Sequence, residues 1–156
     1  MRPFFLSLPQ YKEPRDPTFA TYVVNGVNQF ITTASAAAGA VKFTVNEQDY
    51  DSSTDGAAKP GDLFTIDDTN DTNHTKVYQV VRVETAQSYN TNSTAVTTGQ
   101  LRIEFIPALQ RAVSTAANIN FHNPQFRVIM QNDVQEYSLN TDNLYSFSLK
   151  LEEAQP

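Results

Sequence analysis

The chain has 156 residues, the length of one domain or two small ones, and can bury a core without disulfide staples. It has no Cys, no Trp and only two His, which excludes a disulfide scaffold, a cysteine nucleophile, a cysteine zinc site, an iron–sulfur cluster and a His-rich metal centre. Only 18% of residues are charged and the net charge is −6, against roughly 25% charged in an average protein and a basic footprint in nucleic-acid binders. Polarity rests instead on 17 Thr, 13 Asn and 11 Gln. That composition fits a β-rich structural protein with no catalytic inventory and no nucleic-acid partner.

Residues 1–18 read as an extended arm. Pro3, Pro9, Pro14 and Pro17 each remove an N–H and bias the preceding residue to extended backbone. The apolar run at the front is interrupted by Pro9, too short for a secretory signal. No stretch approaches the ~18–20 apolar residues of a membrane helix. The expectation is a soluble chain made in a cytosol, without membrane insertion. Yet Phe4, Phe5, Leu6, Leu8 and Tyr11 are too apolar for a free tail. They should dock on this domain or on a neighbouring subunit.

Residues 19–136 form the expected β-domain. Phe19 to Ile31 surround Asn25-Gly26, a dipeptide that predicts a hairpin. Ala34 to Ala40 is a linker or a short helix. Val41 to Val45 alternates and predicts a half-buried strand. Lys59-Pro60-Gly61-Asp62 marks a turn before a strand at Leu63 to Ile66. Asp67 to Asn73 is a charged loop tip. Thr75 to Thr85 is the longest strand candidate, and residues 86–99 are a polar loop. Leu101 to Ile106 alternates and stops at Pro107. A turn or helical piece follows at 108–116. Brief strands are expected at Ile119 to His122 and at Gln125 to Gln131, the latter with Phe126, Val128 and Met130 on one face. Residues 137–156 form a C-terminal strand and tail, with a strand over Leu144 to Leu151 and a frayed end at Glu152-Glu153. Strands between short turns predict an all-β fold, a small antiparallel sandwich or barrel with an extended N-terminal arm and a C-terminal tail.

The order of residues 41–130 carries a resemblance. Its parts are Lys59-Pro60-Gly61-Asp62-Leu63-Phe64, Val77-Tyr78-Gln79-Val80, Ile103 through Val113, and Phe126-Arg127-Val128. Together they resemble a small β-domain of tail-tip and baseplate proteins of tailed bacteriophages, including distal-tail-like proteins. The C-terminal stretch Tyr137 to Glu153, with Leu144 to Leu149 within it, resembles the closing strand of those proteins. In longer members, the segment similar to Phe4 to Pro9 follows a larger β-sandwich that this sequence does not include. The resemblance implies a virion structural protein of the tail, made in the bacterial host cytoplasm. It implies other phage tail proteins as partners and a ring-shaped homo-oligomer, with a hexamer favoured.

Candidate sites divide by chemistry. Asp49 to Gly56 offers hard oxygen ligands and a turn glycine, but Asp55 and Gly56 come two residues late for a calcium loop. A solvated acidic loop is expected, with no metal. Asp and Asn in 67–71 are explained by turn chemistry. Glu84, Glu104 and Glu136 are acids without the spacing of a glycosidase pair, and Glu84 and Glu104 read as outward strand positions. His74 and His122 have no Gly-x-Ser-x-Gly elbow beside them. No catalytic residue and no cofactor are expected. Phe43, Phe64, Phe105, Phe126 and Phe147 read as core. Tyr50 and Tyr89 lie in polar loops and are the candidates for surface recognition.

The leading expectation is a non-enzymatic tail-tip or baseplate subunit that assembles through strand edges, loops and its arm. Phe4, Phe5, Leu6, Leu8, Tyr11, Tyr145 and Phe147 are the candidate partner-binding residues. The alternative is a receptor- or glycan-binding β-module on a tail fibre or tip, using Tyr50, Tyr89 or the Asp49–Asp55 loop.

Overall fold

A computed structural model describes residues 2–25, 30–88, 95–131, 137–139, 145–147 and 149–154. Its strands are β1 (Phe4–Ser7), β2 (Phe30–Thr32), β3 (Lys42–Glu47), β4 (Leu63–Asp67), β5 (Tyr78–Glu84), β6 (Gln100–Ile106), β7 (Asn118–Asn120), β8 (Gln125–Met130), β9 (Tyr137–Leu139), β10 (Tyr145–Phe147) and β11 (Leu151–Glu153). The helical elements are a 3₁₀ turn at Pro9–Tyr11 and the helix α1 (Pro17–Asn25). The fold is all-β.

Strands β2, β3, β6, β5, β4 and β7 pair in that order and close into an antiparallel barrel. Alternation dictates the faces. Phe43 lies opposite Ile103 and Val45 opposite Leu101, and all four are buried. Their sequence neighbours Lys42, Thr44, Arg102 and Glu104 pair on the other face of the same two strands. Between β5 and β6 the register jumps from Val80–Phe105 to Arg82–Glu104. Val81 is the extra residue of this bulge and is exposed. The jump returns Val83 to the core side, opposite Ile103, as a bulge does when it re-aims a strand.

Aromatic rings fill the barrel. Phe43, Phe64, Tyr78 and Phe105 form one cluster, with Phe43 and Phe105 centroids 4.8 Å apart. Phe19, Phe30 and Phe121 form another, at 5.2 to 5.4 Å. Each buried ring stabilises the fold by about 1.5–3 kcal/mol through burial alone. Phe43, Phe64 and Phe105 are core residues as expected. Phe126 is only half-buried, and the side chain of Phe147 lies outside the described residues.

The expected first strand of a hairpin at 19–24 is instead α1. Asp16 caps it, its carboxylate accepting from the N–H groups of Thr18 and Phe19, both at 3.1 Å. Pro17 occupies the first helical position, where its missing N–H costs nothing. Phe19, Ala20 and Val23 are buried and Tyr22 packs beside them, a helical spacing. Helix α1 therefore also ends the extended arm two residues early. Gly26 lies outside the described residues.

Other segments decide between open alternatives or differ from expectation in smaller ways. Ala34 to Ala40 is a linker, not a helix. It makes one isolated bridge, Ala36 with Val113, whose N–H groups bond each other's carbonyls at 2.9 and 2.8 Å. Residues 108–116 hold bends and a turn and no helix. The long β5 candidate begins at Tyr78, not Thr75. Glu152 and Glu153 do not fray: they pair with Ile129 and Val128 in β11, and Glu153 forms an ion pair with Lys76.

A second sheet places β8 between β1 and β11, all antiparallel. Strands β9 and β10 pair with each other.

Candidate functional site

The arm is a strand of the second sheet. Phe4 pairs with Val128, Phe5 with Arg127, Leu6 with Phe126 and Ser7 with Gln125. The Ser7 hydroxyl donates to the side-chain carbonyl of Asn123, and the N–H of Asn123 donates to the Lys12 carbonyl at 2.7 Å. Asn123 holds a left-handed backbone, φ +49°, which Asn tolerates better than most residues. The arm thus docks on its own domain. Leu6 and Leu8 are half-buried. Phe4 stays 38% exposed and Phe5 58%, and Tyr11 is also exposed. Of the candidate partner-binding residues, these five lie in one short stretch. Tyr145 and Phe147 are on β10, in a separate sheet, and their side chains lie outside the described residues.

The Lys59-Pro60-Gly61-Asp62 turn fastens the base of this arm. Asp62 is buried. One carboxylate oxygen accepts from the Lys59 N–H at 2.7 Å and the other from the Arg15 N–H at 3.1 Å. The Arg15 guanidinium donates to the Pro60 carbonyl at 2.9 Å, and the Lys59 ammonium pairs with Asp16 at 3.2 Å. Gly61 has φ +96°, and a Cβ there would stand 2.3 Å from the Arg15 guanidinium. The left-handed backbone favours glycine here, while the Arg15 guanidinium, at the end of a flexible exposed side chain, can give way. The Asp16 carboxyl sits below its ordinary range, chiefly through the Phe19 N–H bond of the helix cap, with Lys59 adding to it.

Two clefts border the arm. An apolar one of about 460 Å³ lies among Leu8, Tyr11, Leu63, Val77, Pro107 and Phe126. A polar one of about 610 Å³ has Phe5, Thr65, Asp67, Thr75, Asn120 and His122 in its wall. Behind it the β4–β5 loop is locked by Asp68, only 2% exposed. The Asp68 carboxylate accepts from the Ser114 N–H at 2.7 Å, the Ser114 hydroxyl at 2.6 Å and the Asn70 N–H at 2.9 Å. Burial pushes this carboxyl up, but those bonds outweigh it and hold it below the ordinary range. Asp71 pairs with Arg111 at 2.6 Å and accepts from the Asn73 N–H; the Arg111 bond is the main reason its carboxyl is also lowered. His74 Nε2 lies 2.8 Å from the Ala112 carbonyl. So these Asp and Asn residues do more than make turns. They tie the β4–β5 loop to the β6–β7 loop.

The remaining sequence candidates serve structure. Tyr50 is not displayed for recognition: it stacks on Tyr22 at 4.2 Å and meets Phe19 edge-on at 6.0 Å. Its hydroxyl lies within hydrogen-bonding distance of the Asp55 and Gly56 carbonyls, at 3.1 and 3.0 Å. Burial is the main cause that pushes its phenol up to about 12. In the Asp49–Asp55 loop, Asp51 accepts from the Ser53 N–H at 2.9 Å. Ser52 binds Glu47 through both its N–H and its hydroxyl. Burial nonetheless raises the Glu47 carboxyl. No group of three His, Asp or Glu gathers as a metal site among the described residues. Glu84 stands opposite Arg102 on the outer face of β5 and β6, as expected, but it is 1% exposed. It pairs with Arg102 at 3.0 Å and with Arg82. Glu104 is half-buried beside Arg82. Tyr89 and Glu136 lie outside the described residues.

No protein-family model matches the chain, and no curated protein matches it. Among the described residues no helix is long and apolar enough to cross a membrane.

Proposed function

We propose that the chain is a structural subunit of the tail tip or baseplate of a tailed bacteriophage, acting by assembly and without catalysis. The observation that carries this reading is the arm: β1 is an edge strand, and Phe4, Phe5 and Tyr11 beside it stay exposed. Sheet edges with exposed apolar residues invite pairing and are normally covered. In an assembly the neighbour covers them, by strand addition or by exchange of the arm itself between copies. The low charge fits as well, since interface cores are depleted in charged residues.

The resemblance of residues 41–130 supplies the particle and the ring. Heterologous contacts repeated by rotation close such a ring, with six copies favoured and other tail proteins above and below. The subunit is then made in the host cytoplasm and ends in the virion tail. The test is deletion of residues 2–12. The barrel should remain folded by circular dichroism, because its strands and core lie outside the deletion, while sedimentation shows weakened assembly. Undiminished assembly would overturn the reading.

A further inference from the structure

We infer that the polar cleft beside β1 binds an uncharged saccharide of one or two rings. Its wall combines Thr65 and Asp67 of β4, Asn120 of β7, Thr75 of the β4–β5 loop, and His122, with Phe5 of the arm at its side. Its volume of about 610 Å³ lies within the usual range for small-molecule sites, roughly 300–1,000 Å³.

The chemistry of the wall argues against anionic ligands and a chelated metal ion. Neither Lys nor Arg lines the cleft, so nothing there neutralises a phosphate or a carboxylate. The buried acid is committed: Asp68 is held by Ser114 and Asn70. Asp71 is held by Arg111. With no three-donor group among the described residues, a chelated cation has no cage. What remains is neutral hydrogen-bonding capacity. Thr75 Oγ1 and His122 Nδ1 are buried without a partner, a condition native proteins rarely leave unexplained. Both residues are half-buried and line the cleft. The exposed Asp67 carboxylate makes no hydrogen bond among the described residues and adds acceptors for hydroxyl groups. Phe5 adds an exposed ring, a flat apolar face for the C–H side of a sugar. Acceptors, donors and one aromatic face without charge pairing describe a polyhydroxylated neutral ligand.

The inference does not rest on the assembly reading. Binding is measured on the isolated full chain and assembly by sedimentation, so either can fail alone. The experiment is calorimetric titration and saturation-transfer NMR with neutral probes (glucose, galactose, N-acetylglucosamine, maltose, lactose), with phosphate and calcium as charged probes. At least one neutral saccharide should bind. Thr75→Val and Phe5→Ala should each weaken it about tenfold, the value of one good hydrogen bond or contact. Thr75→Val should also keep or raise the thermal midpoint of the free protein, because it removes an unpaired buried hydroxyl. That readout separates lost binding from lost folding. No saccharide bound at millimolar concentration, binding of phosphate or calcium alone, or undiminished saccharide binding by both variants would each overturn the inference.

Discussion

The Asp62 carboxylate accepts a hydrogen bond from the backbone N–H of Arg15 at 3.1 Å, joining a tight turn to the base of the arm. Its other oxygen takes the Lys59 N–H at 2.7 Å. Replacing Asp62 by Ala strands both donors at a buried site. Hydrogen bonds to a charged group contribute about 1.5–3 kcal/mol, so Asp62→Ala should lower stability by about 2 kcal/mol in urea unfolding. Trypsin should also cut faster after Lys12 and Arg15. Asp62→Asn, which keeps one acceptor, should show a smaller loss.

Glu84 is a buried charge held between Arg82 and Arg102. Removing one partner of a buried pair leaves the other uncompensated, at a cost of about 3–5 kcal/mol. Arg82 is partly exposed, which discounts its share through solvent screening. Glu84→Ala should therefore cost about 3 kcal/mol by chemical denaturation. The expected sign is destabilising even though Glu84 lies on the outer face of the barrel.

Asp68 ties stability to pH. Its folded carboxyl lies below the ordinary value of 3.8. Such a group contributes stability in full above the unfolded value, and loses it as pH falls through the lower folded value. The thermal midpoint should drop on acidification below about pH 4. Glu47, raised by burial from 4.5, works in the opposite direction: its penalty appears as pH rises above that value. The comparison that isolates Asp68 is Asp68→Asn, which should flatten the acid limb and be less stable at pH 7.

Tyr50 separates stacking from hydrogen bonding. Tyr50→Phe keeps the ring on Tyr22 and loses the hydroxyl, so it should cost about 1 kcal/mol. Tyr50→Ala removes the ring as well and should cost about 3 kcal/mol. In spectrophotometric titration, one phenol absent from Tyr50→Phe should ionise near 12 in the folded wild type.

The period-two strands were legible from sequence because alternation is local. Phe43 and Val45, and Leu101, Ile103 and Phe105, announce their inward face without help from the rest of the chain. Helix α1 carries a local signal too: Asp16-Pro17 is a cap followed by a first-turn proline, and Phe19, Tyr22 and Val23 follow at helical spacing, in competition with the hairpin signature of Asn25-Gly26. The arm's apolar character announced that it docks, but its partner β8 is distant in sequence, so the surface it docks on was not legible. Tyr50 stacks on a residue of α1, and Asp68 binds a loop beyond β6. Such contacts depend on tertiary approach, which no local pattern records. The same holds for Glu84, whose face follows from alternation but whose burial does not. The polar cleft is built from β1, β4, β7 and two loops, and no single segment carries it.

Assembly into a tail is tested most directly by cryo-electron microscopy of intact tailed particles from cells that make this chain. The expected result is density for the β2–β7 barrel repeated around the tail axis at the tip, with Phe4 and Tyr11 buried against a neighbouring subunit. Particles complete without the chain, or a ring in which Phe4 and Tyr11 both face solvent, would contradict it.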